Sequence, residues 1–444
     1  MRYPYHGIVE GFYGRPWTHD ERLDMFAFMA AHGLNGYIYA PKDDALHRDN
    51  WRAPYDGDAL ARFKALADAA RAHGIRFTFA VSPGLDLRYS APDDLETLTA
   101  KLQPLCDLGI SSFGIFFDDV PTELTHPADR ARYRDLGEAQ ADFLARVQIR
   151  CANLHLMTVP TFYCGEPDIP YLHALGAMPP EIDIMWTGPA ICSHALTGAH
   201  MQAVADVLRR PALVWDNYPV NDAAMVADLH IGPYRNRDAA LPVRGIYVNP
   251  MSLVQASKLP LATFARYCAD TRAYVPEAAW QDAADDLLGP ELAAHLAVFA
   301  EAVTISPLTP EEPPAMAALV APFYENRLPY TPNPAPDHLR AGVVRMRTAQ
   351  RALMAAVAGN PIVADMEPWL RDYARWIDLL EAASRYVDAR MVHHTDDGVS
   401  SATAHLALEE IRAGLKEAVD FRTSTCGFVI PNFLQRILRL TRDV

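Results

Sequence analysis

The sequence predicts a closed (β/α)8 barrel over residues 1–275 followed by an all-α domain over residues 276–444, and three observations carry that reading. An amphipathic helix, a glycine and an apolar strand recur in that order. Strand-like apolar runs centre near Ile8, Ile38, Phe79, Ile115, Leu156, Met185, Val214 and Tyr247. Polar residues gather just after those runs, at the barrel face that carries function.

The repeated unit is plain in the first quarter of the chain. It reads His32-Gly33-Leu34 before Tyr37-Ile38-Tyr39, His73-Gly74-Ile75 before Phe77-Thr78-Phe79, and Leu108-Gly109-Ile110 before Phe113 to Phe117. Each glycine is placed to take the left-handed conformation that ends a helix. Alternating helices and strands imply a parallel sheet. The first helix has its start written in sequence, because Thr18 and Glu21 form a T-x-x-E capping box. Leu23, Phe26, Ala27, Ala30 and Ala31 then predict its buried face.

An open doubly wound sheet is the competing architecture. It needs a Gly-rich phosphate turn after the first strand, and Gly7 to Gly14 do not supply that pattern. After about Pro276 the strand signal ends, with Pro-rich breaks at Ser306–Pro314 and Pro329–Pro336. There Trp369, Tyr373, Trp376, Leu380, Ser384, Val387 and Met391 recur at helical spacing and predict a core stripe. His393 to Gly398 has a metal-like composition but no supporting ligands, and reads as a solvated loop.

Composition narrows the function. At 444 residues the chain exceeds the ~250–300 at which a lone core stops growing. A formal net charge of -15 argues against a nucleic-acid surface. The six cysteines are scattered with no Cys-x-x-Cys pair, which suits reduced thiols in a cytosolic protein. Met1 to His6 enters a strand almost at once and no later apolar run reaches membrane-spanning length, so a cytoplasmic, membrane-free protein is expected. Oligomeric state is not legible.

Phe113-Gly114-Ile115-Phe116-Phe117-Asp118-Asp119-Val120-Pro121 is the most informative stretch. A buried strand delivers two adjacent carboxyl groups to one place, where like-charge repulsion predicts one carboxylate and one retained proton. On these residues alone, strand-terminating turn acids or a divalent-metal pair are equally open. Consecutive side chains on a strand face opposite ways, so both acids reach one substrate only where the backbone leaves the pleat. Val120-Pro121 is the expected break.

Several strand-end segments then match one family in order and spacing. They are Val9 to Trp17 (VEGFYGRPW), Tyr39 to Asp44 (YAPKDD), Phe117-Asp118-Asp119, Pro160 to Gly165 (PTFYCG), Trp186 to Pro189 (WTGP), Trp215-Asp216-Asn217 with Asp222, and Val248-Asn249-Pro250. From about residue 5 to 260 the chain resembles the glycoside hydrolase family 84 enzymes, retaining β-N-acetylglucosaminidases that include protein O-GlcNAcases. The helical remainder resembles the family's C-terminal region only in general character.

The resemblance implies a substrate-assisted reaction with no metal or organic cofactor. The sugar's 2-acetamido oxygen is the nucleophile, Asp118 polarises the amide N–H, Asp119 is the acid and then the base, and Tyr163 donates to the acetamido oxygen. It further implies that Gly11, Tyr13, Lys42, Trp215, Asp216, Asn217, Asp222 and Asn249 hold the sugar. The implied partner is a glycopeptide or oligosaccharide bearing N-acetylglucosamine, from cell-wall, hyaluronan or chitin fragments if not from protein. A chitinase-like hydrolase would need a D-x-x-D-x-D-x-E strand, which Phe113 to Thr122 lack. A non-catalytic sugar-binding barrel would have no use for a protonated acid.

Overall fold

The computed structural model describes residues 3–325, 335–391 and 398–440. Among these, eight parallel strands close a barrel in sequence order. They are β1 (Tyr5–Glu10), β2 (Gly36–Tyr39), β3 (Arg76–Val81), β4 (Ser112–Ile115), β5 (His155–Thr158), β6 (Asp183–Trp186), β7 (Leu213–Asp216) and β8 (Gly245–Val248). Closure is made by β8 against β1, with Gly7 opposite Tyr247 and Ile8 opposite Val248. Each of the eight expected apolar centres lies in its strand.

The outer layer comprises α1 (His19–Ala31), α2 (Gly57–Ala72), α3 (Pro92–Asp107), α4 (Pro127–Arg132), α5 (Leu136–Arg150), α6 (Pro170–Gly176), α7 (Gly198–Leu208) and α8 (Val254–Ala269). Gly33, Gly74 and Gly109 have φ of 72°, 69° and 87°, the left-handed geometry that lets a helix stop and a strand begin. The capping box forms as expected: Glu21 N–H donates to Thr18 Oγ1 at 3.2 Å and Thr18 N–H donates to Glu21 Oε2 at 2.6 Å.

The buried face of α1 differs from expectation. Arg22, Met25, Phe26, Phe28 and Met29 are buried, whereas Ala27 and Ala31 are exposed. The cause is electrostatic. Arg22 belongs to the inner stripe because it grips both oxygens of fully buried Glu10, at 2.7 Å each, and Tyr37 Oη donates to the same carboxylate. A buried charge needs such partners, and its presence in the stripe masks the apolar period.

Side chains alternate along each strand. Val9, Ile38, Ala80, Met157, Met185, Leu213, Trp215 and Tyr247 fill the barrel interior, while their sequence neighbours face the helices.

The chain divides into two compact units. The barrel unit is Met1–Asp222 with Pro233–Ala279, and the helical unit is Ala223–Gly232 with Trp280–Val444. Within the helical unit, Trp280 and Trp369 Nε1 donate to the carbonyls of Ile231 and Ala227 at 2.6 and 2.8 Å, which ties the segment after β7 to it. Trp369, Tyr373, Trp376, Leu380, Ser384 and Val387 form the buried stripe expected of them. The metal-like His393 to Asp397 lies outside the described residues. Among the described residues no helix is long and apolar enough to cross a membrane.

Candidate active site

The ladder of β4 continues past its last assigned residue. Phe116 N–H donates to Val81 O at 2.9 Å and Phe117 N–H to Val159 O at 2.8 Å. Alternation then sends Phe116 inward, Phe117 outward and Asp118 inward, and it would send Asp119 away. It does not, because Asp119 takes a φ of 54°. Left-handed backbone at a non-glycine costs about 1–3 kcal/mol, least for Asn and Asp, whose short side chains tolerate it. The break therefore sits at Asp119 itself, one residue before the expected Val120-Pro121.

Asp118 is 6% exposed, and its Oδ2 is ion-paired with Lys42 Nζ at the end of β2. Its Oδ1 is buried with no hydrogen-bond partner. Lys42, expected as a sugar ligand, thus faces Asp118 and lies 5.8 Å from the Trp215 ring centroid.

Asp119 is served by two phenols. Tyr13 Oη donates to its Oδ2 at 2.7 Å and Tyr163 Oη to its Oδ1 at 2.9 Å. Burial pushes the carboxyl up, but the two phenols and the charges of Lys42 and Arg48 outweigh it and hold Asp119 below the ordinary carboxylate range. Both phenols donate to the carboxylate form of Asp119, which is why its neighbours lower it although burial alone would raise it. The third acid of the pocket shifts the other way: burial raises Asp222, although Tyr13 N–H donates to it at 2.8 Å.

A polar chain crosses the other wall. Gly11 N–H donates to Asn249 Oδ1 at 3.3 Å, Asn249 Nδ2 donates to Asn217 Oδ1 at 3.0 Å, and Trp215 Nε1 donates to the same oxygen at 2.8 Å. Asn217 Nδ2 completes its own set on Ile191 O at 2.8 Å. Glycine is required at position 11, since a Cβ there would stand 2.3 Å from the Trp215 ring. These contacts bring Gly11, Tyr13, Lys42, Asp118, Asp119, Tyr163, Trp215, Asn217, Asp222 and Asn249 together at the carboxyl face.

Asp216 does not join them. It is 1% exposed; Arg237 donates to both its oxygens, at 2.8 and 2.5 Å, and Tyr234 Oη adds a third bond at 2.7 Å. As the outward-facing residue between Trp215 and Asn217, it is buried in the barrel wall with a partner on each oxygen. Arg48 was not anticipated. It is buried, and its Nη2 donates to the Asp119 carbonyl at 2.6 Å. A lone Arg beside His47 in a loop carries no sequence signal that separates it from a surface charge. Among the described residues no group of three His, Cys, Asp or Glu is arranged to hold a metal ion.

Comparison with known proteins adds the family context. Residues 6–301 match the family model for β-N-acetylglucosaminidase. Over 271 residues, 59% of this chain, it is 34% identical to the protein O-GlcNAcases of Mus musculus and Rattus norvegicus. That match spans 29% of the length of those relatives. Among solved structures, a mutant of the Thermobaculum terrenum O-GlcNAc hydrolase superposes with a TM-score of 0.95 at 45% identity, covering 99% of this chain and 95% of that one. CpGH84B superposes with a TM-score of 0.86 at 25% identity, covering 98% and 77%.

Proposed function

This chain belongs to the β-N-acetylglucosaminidase family, glycoside hydrolase family 84, and on that footing we propose that it is a retaining exo-β-N-acetylglucosaminidase that uses the substrate's own acetamido group as nucleophile. One observation carries the proposal: Asp118 presents a buried acceptor oxygen with no partner, beside an acid already turned toward the same space. A buried unpaired carboxylate oxygen costs free energy. An amide N–H donated by the sugar's 2-acetamido group would satisfy it.

In the reaction, the acetamido carbonyl oxygen bonds to the anomeric carbon as the bond to the leaving oxygen breaks, giving an oxazoline. Asp118 accepts the hydrogen bond of the amide N–H and takes its proton as the neutral oxazoline closes, which makes the carbonyl oxygen more nucleophilic. The leaving oxygen takes a proton from Asp119. Water then attacks the anomeric carbon and gives a proton to Asp119 while Asp118 returns its proton to the ring nitrogen and the oxazoline reopens, so two inversions give net retention. Tyr163 is released from Asp119 to donate to the acetamido oxygen. Gly11, Lys42, Asp222 and Asn249 serve the sugar hydroxyls, with Trp215 as the wall and Asn217 orienting Asn249. An ordinary retaining glycosidase instead places a protein nucleophile ~5–5.5 Å from the acid.

The names of the mammalian and Thermobaculum relatives favour a protein-linked sugar as substrate over cell-wall, hyaluronan or chitin fragments. Relative rates on a glycopeptide and on N-acetylglucosamine oligosaccharides decide that part. Cytoplasmic location belongs to the same proposal, on the six unbridged cysteines. The mechanism is tested by a substrate series with successive fluorination of the acetyl group. The chemical step should slow steeply along the series and release sugar of retained configuration. Rates insensitive to fluorination, or an inverted product, would remove the substrate-assisted reading.

A further inference from the structure

The reaction just described makes no use of Arg48, yet this cation is 8% exposed and lies beneath the acid pair. Its Nη2 donates to the Asp119 carbonyl at 2.6 Å, and its Nη1 reaches the Asp118 carbonyl at 3.4 Å and Ser82 Oγ at 3.5 Å. Ser82 Oγ in turn donates to Phe116 O at 3.2 Å, and Ser82 N–H donates to His47 O at 2.8 Å. The loop after β2 therefore grips the end of β4 twice, with Lys42 on the Asp118 side chain and Arg48 on the backbone.

We infer that Arg48 is a positioning residue whose guanidinium holds the peptide carbonyls of Asp118 and Asp119 and so maintains the left-handed turn that aims both carboxyl groups at one substrate. Where the strand ends, these carbonyls lose their ladder partners, and buried carbonyls need donors. A planar fork can serve two diverging oxygens at once, which a lysine ammonium on a flexible stem does less well. Charge-assisted bonds of this kind are roughly twice as strong as neutral ones, and they oppose relaxation of the left-handed aspartate.

Arg48 also acts through its charge. The groups facing Asp119 are Tyr13 after β1, Lys42 and Arg48 after β2, Asp118 beside it, Tyr163 after β5 and Asp222 after β7. Arg48 is among those that favour the Asp119 carboxylate.

The inference rests on the reading that Asp119 is the general acid, and the test separates the two. Wild type, Arg48→Lys and Arg48→Met are assayed for kcat and KM across pH on N-acetylglucosaminides with phenol and alkyl leaving groups. In Arg48→Met, kcat should fall by about 10²-fold, the scale of an ångström-sized misplacement of a catalytic group, with KM much less affected. The limb of the kcat/KM profile set by Asp119 should move to higher pH, because a cation favouring the carboxylate is gone.

Arg48→Lys keeps the charge and loses the fork, so kcat should fall on the order of 10-fold, about the worth of one such bond, with the limb close to wild type. A merely structural arginine would lower the yield of folded enzyme and leave the limb in place. Either variant at wild-type kcat overturns the inference while leaving the functional reading intact. A wild type without activity on any of these substrates overturns the functional reading and this inference with it. Should Arg48→Met not fold, Arg48→Lys and Ser82→Ala, which loosens the same turn, decide by their kcat.

Discussion

Asp118 and Asp216 stand at the ends of two strands of one barrel, both buried and both paired with a cation. They differ in what is left over. Asp216 has both oxygens taken by Arg237 and Tyr234; Asp118 gives one oxygen to Lys42 and keeps the other unpartnered. A buried carboxylate with a partner on each oxygen fastens a wall, whereas one with an unpartnered oxygen is poised for a ligand. Burial and charge pairing alone do not tell a catalytic acid from a structural one; whether each oxygen has a partner does.

The largest expected effect is on the poised side. Asp118→Asn and Asp119→Asn should each lower kcat/KM by roughly 10²–10⁴-fold, the usual range for lost acid–base groups. Asp119→Asn should spare activated phenols, while Asp118→Asn should damage good and poor leaving groups alike. Equal losses across leaving groups in both variants would show that the two roles are assigned the wrong way.

On the saturated side, Asp216→Asn should cost roughly 3–5 kcal/mol of stability, as for breaking a buried pair, read as a lower midpoint of denaturant unfolding. The activity of its folded molecules should stay near wild type. A loss of activity as deep as that of Asp118→Asn, at unchanged stability, would erase the comparison.

A smaller effect sharpens it through pH. Tyr13→Phe and Tyr163→Phe each remove a hydrogen bond that favours the Asp119 carboxylate, so the proton should be held to higher pH in the free enzyme. The kcat/KM limb on which Asp119 deprotonates should therefore move upward. A downward shift contradicts the hydrogen-bond account. Smallest of all, Thr18→Ala removes the cap of α1 far from either carboxylate. It should cost ~1 kcal/mol in unfolding free energy and leave kcat/KM unchanged.

The strands were legible because buried parallel strands are continuous apolar runs, and the helix stops because left-handed glycines are hard to replace. The stripe of α1 departs from its apolar period for a physical reason: Arg22 is buried by its pairing with Glu10, and no periodicity scale counts an arginine as core. The outward turn of Asp216 is written in the strand alternation. With Trp215 filling the interior, alternation alone turns its neighbour outward, whatever motif the three residues form. The phenols on Asp119 and the grip of Arg48 were not legible, because they depend on loops after different strands converging on one turn. Sequence spacing says little about such meetings.

The most direct measurement of the central claim is the affinity of a cyclic oxazoline mimic, by calorimetric titration, for wild type, Asp118→Asn and Asp216→Asn. The mimic presents its ring nitrogen where the amide N–H would sit in the intermediate, so it should bind wild type far more tightly than substrate does. Asp118→Asn should lose about 10²-fold or more in affinity, as for a charged hydrogen-bonding partner removed from a buried site, while Asp216→Asn binds as wild type does. Equal affinity of wild type and Asp118→Asn for the mimic would contradict the claim that the open oxygen of Asp118 receives the acetamido group.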